Sequence, residues 1–211
     1  MTERATKTRK PTPETESRQL RRARRRAAQA GSSLGLLLLR VAVGGTVAAH
    51  GLQNALGVLH GPGIEKTSVQ FDRLGIRPAR PLAVASGIGM VGGGAALALG
   101  LATPVAGAAV AASMGVAAWQ HHTKGFFELD GGYEFPLGLA ASGAALILTG
   151  PGRLSADAVG KNRLNRGWMR AAGLLGAAAA TAVLIMRQEA SLEGEALARQ
   201  LDASEAPAQE G

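Results

Sequence analysis

The chemistry this sequence offers begins with a cation inside an oily run. Arg40 follows Leu36-Leu37-Leu38-Leu39, and His50, Gln53 and Asn54 lie further along the same apolar stretch. A charge in hydrocarbon is expensive unless it snorkels to the interface or finds a partner. At about 100° per residue, with Arg40 at zero, His50 falls at about 280°, Asn54 at about 320°, Gly44 at about 40° and Gly51 at about 20°. One face of this helix is therefore polar and small. It suits either a lined cavity, with proton-linked chemistry, or a packed polar seam with Arg40 reaching the inner headgroups.

A second group of reactive side chains sits in residues 120–134: His121, His122, Glu128, Asp130, Tyr133 and Glu134. Imidazoles and carboxylates are ligands for zinc, copper or iron. The spacing matches no defined metal motif, and adjacent His121 and His122 cannot both point to one face, so no metal is assigned. Gly125 and Gly131-Gly132 permit tight turns, and a segment that combines them with aromatics and acids is expected to be folded. No cysteine is present, which removes disulfides, thiolate ligands and Fe–S clusters; redox chemistry would need a bound cofactor or a partner. No Ser-His-Asp or Cys-His arrangement, Walker motif or HExxH helix is readable, so no catalytic residue is assigned.

The elements that must position these residues are apolar spans. Charges crowd into the tails and short loops, and the stretches between carry almost none, which points to a bilayer. The expected fold is all-α, a polytopic membrane helical bundle. Its spans run at about 34–59, 82–102, 104–119, 135–149 and 168–186. Pro104 suits the first turn of a helix after a tight hairpin at 100–103. The organisation expected is a disordered basic tail at 1–32, a four-helix domain at 33–160, a loop end and fifth span at 161–187, and an acidic tail at 188–211. Loops are expected at 60–81 and 153–167.

The net charge of +8 does not indicate nucleic acid, because its distribution is topological. Residues 1–30 hold ten Lys/Arg and three acids, whereas residues 187–211 hold two Arg and six acids. The run Arg21, Arg22, Arg24, Arg25, Arg26 precedes the first span, where cytoplasmic retention and anionic-lipid attraction both favour it. The expected location is the bacterial cytoplasmic (inner) membrane, with the N-terminus cytoplasmic. The 153–167 loop is basic and falls on the same side. The 60–81 loop, with Lys66, Arg73, Arg77 and Arg80, falls outside and runs against the rule.

Small residues set the packing. Gly89 and Gly93 stand at GxxxG spacing and are expected to bring helices together. Gly87-Ile88-Gly89-Met90-Val91-Gly92 also matches a dinucleotide fingerprint, but it lies inside an apolar span without a preceding strand. Trp119, Phe126, Phe127, Tyr133 and Phe135 near one end, and Trp168 at the other, read as interfacial belts.

In order and spacing, several segments together resemble the DoxX family of bacterial membrane proteins. They are Leu36 to Arg40, Ala49 to Gln53, Gly92 to Gly94, Leu99 to Thr103, Gly125 to Glu134, and Gly150-Pro151-Gly152-Arg153-Leu154-Ser155-Ala156-Asp157. The resemblance covers about residues 34–160. It implies a four-helix membrane bundle and a loose redox context: quinone-coupled sulfur oxidation, or a complex with superoxide dismutase and a sulfurtransferase. The sequence departs from the family at Asn54, where Lys is common, and at Met90, where Glu is common. Losing this charge pair weakens any carry-over of proton chemistry. Together with the missing catalytic set and the two long charged tails, that context makes the expected function a non-catalytic accessory or scaffold subunit of a membrane-associated oxidoreductase or oxidative-stress complex. The alternatives are a quinone-linked redox subunit, with quinone as the cofactor, and a small-solute or lipid transporter using the Arg40/His50 face.

Overall fold

A computed structural model describes residues 13–205, and among them the chain is all helical. Helix α1 spans Pro13–Leu56, α2 Gly63–Arg73, α3 Ala79–Leu99, α4 Thr103–His121, α5 Glu134–Thr149, α6 Ala156–Val159 and α7 Gly167–Glu205. Two single 3-10 turns, His122–Lys124 and Glu128–Asp130, shape the α4–α5 connection.

Helices α1, α3 and α7 are long and apolar enough to cross a membrane. The 16-residue α5 is apolar but shorter, and the 19-residue α4 packs between α3, α5 and α7. The outward faces carry Val84, Ile88, Val105, Leu148, Leu175, Val183 and Met186 in the open, the pattern of a bundle solvated by lipid. Inside, Val43 and Val47 of α1 meet Met90 and Leu97 of α3, Ala106, Val110 and Met114 of α4, and Leu146 of α5.

Between apolar helices in lipid, close packing replaces the hydrophobic effect as the cohesive force, so small residues decide which helices touch. The seam between α1 and α3 is built from glycines seven apart on each helix. A Cβ on Gly44 would lie 2.4 Å from the carbonyl oxygen of Gly94, and one on Gly94 would lie 2.6 Å from Ala48 N. Gly51 meets Met90 and Val91, and Gly87 meets Ala55. This corrects the expected Gly89/Gly93 pair. A Cβ on Gly89 would meet nothing within 4 Å, whereas one on Gly93 would sit 3.0 Å from Ala109 of α4.

Three segments are more helical than their sequence-based description. The basic tail is helical from Pro13 onward, as the start of α1; residues 1–12 lie outside the described part. Its Arg, Ala, Gln, Glu and Leu content carries high intrinsic helix propensity, which the lack of an apolar stripe does not cancel. The expected 60–81 loop contains α2, whose Thr67 hydroxyl donates to the Asn54 carbonyl at 3.0 Å. Helix α7 likewise continues through the acidic tail as far as Glu205; residues 206–211 lie outside the described part.

The contacts sort the connections to two ends of the bundle. The N-terminal arm of α1, the α3–α4 turn and residues 150–167 share one end, where Arg21, Arg22, Arg24, Arg25, Arg26, Arg153, Lys161, Arg163 and Arg166 are exposed. The other end holds α2, the α4–α5 connection and the distal part of α7. There Arg77 pairs with Asp72 at 2.9 Å and with Glu195 at 2.9 Å, and Arg80 pairs with Glu65 at 3.0 Å. Two of the four basic residues that ran against the orientation rule are thus tied to acids.

Candidate functional site

At the basic end, Arg40 is only 2% exposed. Its Nε donates to the Ala98 carbonyl at 3.1 Å, and its two terminal nitrogens donate to the carbonyls of Pro151 and Leu154. Ala98 lies in the last turn of α3, where helix carbonyls lack partners and a cation complements the dipole. The helix stops at Gly100, φ +67°, with Gly100 N–H to Leu97 O and Leu101 N–H to Ala96 O, a Schellman closure. A Cβ at Gly100 would fall 2.6 Å from Ser155 Cβ and 3.1 Å from Arg40 Cζ, so glycine is required by both space and backbone.

The next helix is capped from elsewhere in the chain. Asp157, 3% exposed, accepts from the backbone N–H of Ala102 at 2.8 Å and of Thr103 at 3.0 Å, and from the Thr103 hydroxyl at 2.9 Å. A carboxylate on the free N–H groups of a helix start is favourable twice over, through hydrogen bonds and through the dipole. Ser155 caps the short α6, accepting from Ala158 N–H at 3.1 Å, and so presents Asp157. Arg40 and Asp157 therefore lock the ends of α3 and α4 to the 150–157 loop. This is a structural knot, not a lined cavity. Asp157 was not singled out as a site from the sequence; its signal was a lone acid following Gly-Pro-Gly in an otherwise basic loop.

The other end contains a half-open cavity of about 470 Å³ lined by α1, α2, α3, α4, α5 and α7. Of the residues singled out beforehand, His50, Asn54, His121 and Glu128 line it. His50 packs edge-on against Phe135 with ring centroids 5.8 Å apart, and the Nδ1 of His121 is 2.8 Å from the Gly131 carbonyl. Lining residues not anticipated include Thr67, Gln120 and Gln188. The apolar wall is formed by Phe71, Leu82, Met90, Met114, Phe135 and Leu184.

The remaining candidates lie elsewhere. Arg40 is absent from this cavity, so the shared Arg40/His50 face does not form one site. Gln53 donates to the Leu59 carbonyl at 3.2 Å and closes the turn after α1. His122 is exposed and stacks on Trp119 at 4.3 Å. Tyr133 packs edge-on to Phe126, Glu134 accepts from Glu128 N–H at 3.3 Å, and Asp130 stays exposed in the second 3-10 turn. Gly132 allows this fold, since a Cβ there would meet the Gly125 carbonyl oxygen at 2.3 Å. Among the described residues no cluster of His, Cys, Asp or Glu could hold a metal ion.

Neither curated proteins nor solved structures return a match to this chain. A family model does match, over α1 from Gly35 through α2, α3 and α4 to the turn at Thr123; α5 and the 150–157 loop lie beyond it. That model is the DoxX family's, so residues 35–123 are similar to a DoxX domain, and helices α1, α3 and α7 are long and apolar enough to cross a membrane.

Proposed function

We propose that this DoxX-like protein is a non-catalytic accessory or scaffold subunit of a membrane-associated oxidoreductase or oxidative-stress complex in the bacterial inner membrane. The observation that carries the reading is the pair of charged helical arms leaving the bundle at opposite ends. The first is α1 before Ser33, exposed throughout its described side chains, and the second is α7 beyond Glu195. In this reading the bundle is an anchor and the arms hold proteins on either face. The arginines from Arg21 to Arg26 also lie against anionic lipid on the cytoplasmic side.

Affinity purification of the full chain in mild detergent tests this. A redox enzyme should co-purify, and removing residues 1–30 or 190–211 should release a partner. A chain that runs alone, with or without its arms, overturns the reading. A second reading, a quinone-linked subunit, is favoured by the cavity between His50 and His121. Purified protein with no bound quinone and no quinone-dependent activity removes it.

A further inference from the structure

The basic end carries a groove of its own, about 760 Å³, between α1, the turn after α5, the 158–165 segment and α7. Arg153 and Arg170 line it, and no Asp or Glu does. Neither arginine pairs with a carboxylate among the described residues. Asp157, the acid of this loop, is engaged by the N–H groups of α4.

The donors of the groove are held in place. The Arg170 guanidinium is fixed by two acceptors: Asn165 Oδ1 lies 2.9 Å from its Nε, and the Leu148 carbonyl lies 3.1 Å from one terminal nitrogen. Its other terminal nitrogen has no acceptor among the described residues. Asn165 is 6% exposed, and its oxygen is committed to Arg170, which fixes its NH2 as the outward donor. That NH2 has no acceptor among the described residues and is not sealed in protein, so it opens on the groove that Asn165 lines. Gly150, φ +80°, keeps both donors free. A Cβ there would lie 2.8 Å from Arg170 Nη2 and 3.0 Å from Asn165 Nδ2, the point where they come together.

Arg153 is placed with similar care. It stands between Pro151 and Leu154, whose carbonyls Arg40 holds, so an exposed cation rides on a pinned turn. Gly152, φ +80°, seats that turn on α1, with a Cβ there falling 3.3 Å from Leu36 Cδ1. Along the same segment Leu154, Val159, Leu164 and Trp168 are exposed, apolar side chains that suit a bilayer interface beside the headgroups.

We infer that this groove is a binding site for one phosphate group, taken between Arg153, Arg170 and the Asn165 amide. Guanidinium and amide N–H groups without acids nearby are the donors a phosphate requires. The phosphate comes from an anionic lipid headgroup or from a free phosphate, and the exposed apolar rim favours the lipid. The site is distinct from the Arg21–Arg26 run, which attracts a diffuse anionic layer, and from the cavity at the other end.

The test uses the full chain in neutral detergent, with native mass spectrometry counting the bound probe. One phosphatidylglycerol should bind at least about fivefold more tightly than phosphatidylcholine. Retention of that lipid in excess inorganic phosphate identifies the headgroup as the source; its displacement identifies the free anion. Arg153→Gln should weaken binding about fivefold. Asn165→Asp should weaken it at least about tenfold, because it replaces the donor with a negative charge and keeps the oxygen that Arg170 uses. For that reason Asn165→Asp should also unfold at the wild-type temperature; if it is less stable, Arg153→Gln, on an exposed side chain, decides alone. Changing Arg21, Arg22, Arg24, Arg25 and Arg26 together to Gln should leave this lipid bound. Equal binding of the two lipids with no displacement by phosphate overturns the inference. So does binding that is lost with the Arg21–Arg26 change and indifferent to Arg153→Gln.

Discussion

Arg40 and Asp157 grip the same loop from opposite sides. Arg40 of α1 holds the carbonyls of Pro151 and Leu154, and the loop so held delivers the Asp157 carboxylate to the first N–H groups of α4. Through them, the end of α3, the start of α4 and the exit from α5 become one unit. Each group satisfies backbone atoms that would otherwise be buried without partners.

Removing the carboxylate should loosen α4 first. Asp157→Ala loses a charge-assisted cap and leaves the Ala102 and Thr103 N–H groups without acceptors, an expected loss of about 2–4 kcal/mol. Asp157→Asn keeps one acceptor and should lose less than half of that. Chemical denaturation in a fixed detergent gives both values, and an Asn variant as unstable as the Ala variant would contradict the capping role.

Replacing the cation conservatively should not help. A lysine ammonium is a point charge, whereas the Arg40 guanidinium reaches three separate carbonyls through its planar fork. Both Arg40→Lys and Arg40→Leu should fall by about 3 kcal/mol. In the same unfolding assay, a Lys variant of wild-type stability would contradict the geometry.

The glycines should separate into two classes. Gly44→Ala and Gly94→Ala drive a Cβ into backbone across the α1–α3 seam and should each lose about 1–3 kcal/mol. Gly89→Ala meets open space and should lose nothing. Parallel unfolding of the three variants decides it. A destabilised Gly89→Ala would restore the seam that the sequence spacing suggested.

The sequence showed the helices better than it showed the site, and the reason is axial distance. A helical wheel puts Arg40 and His50 on neighbouring bearings but discards the about 15 Å of rise between them. That rise sends Arg40 to the end with Asp157 and His50 to the end with His121. The same projection gave Gly89 and Gly93 the favoured spacing, while the contact went to Gly87 and Gly94, whose partners on α1 a single-helix pattern cannot reveal. Asn54, His121 and Glu128 were legible because polar residues flanking apolar spans are few. Gln188 was not, because one glutamine beside Arg187 in a charged tail looks like solvent-facing surface until α7 is packed against Gly75.

The outer latch should be weak and salt-sensitive. Arg77 and Glu195 are 49% and 27% exposed, so their ion pair is worth at most about 1 kcal/mol. Glu195→Gln should speed amide exchange over residues 189–205 about twofold to fivefold and leave the rest of α7 unchanged. High salt should reproduce the effect in the wild type. Exchange unaltered by either change would show that the distal turn is held by Leu192 on Gly75 alone.

Because the native chain has no cysteine, single-cysteine labelling with a membrane-impermeant maleimide reports directly on whether the two ends of the bundle face opposite sides of a bilayer. In intact spheroplasts, Asp130→Cys and Glu193→Cys should be labelled at once. Gln19→Cys and Arg163→Cys should be labelled only after permeabilisation. All four reacting from the same side would contradict the membrane-spanning bundle on which the account rests.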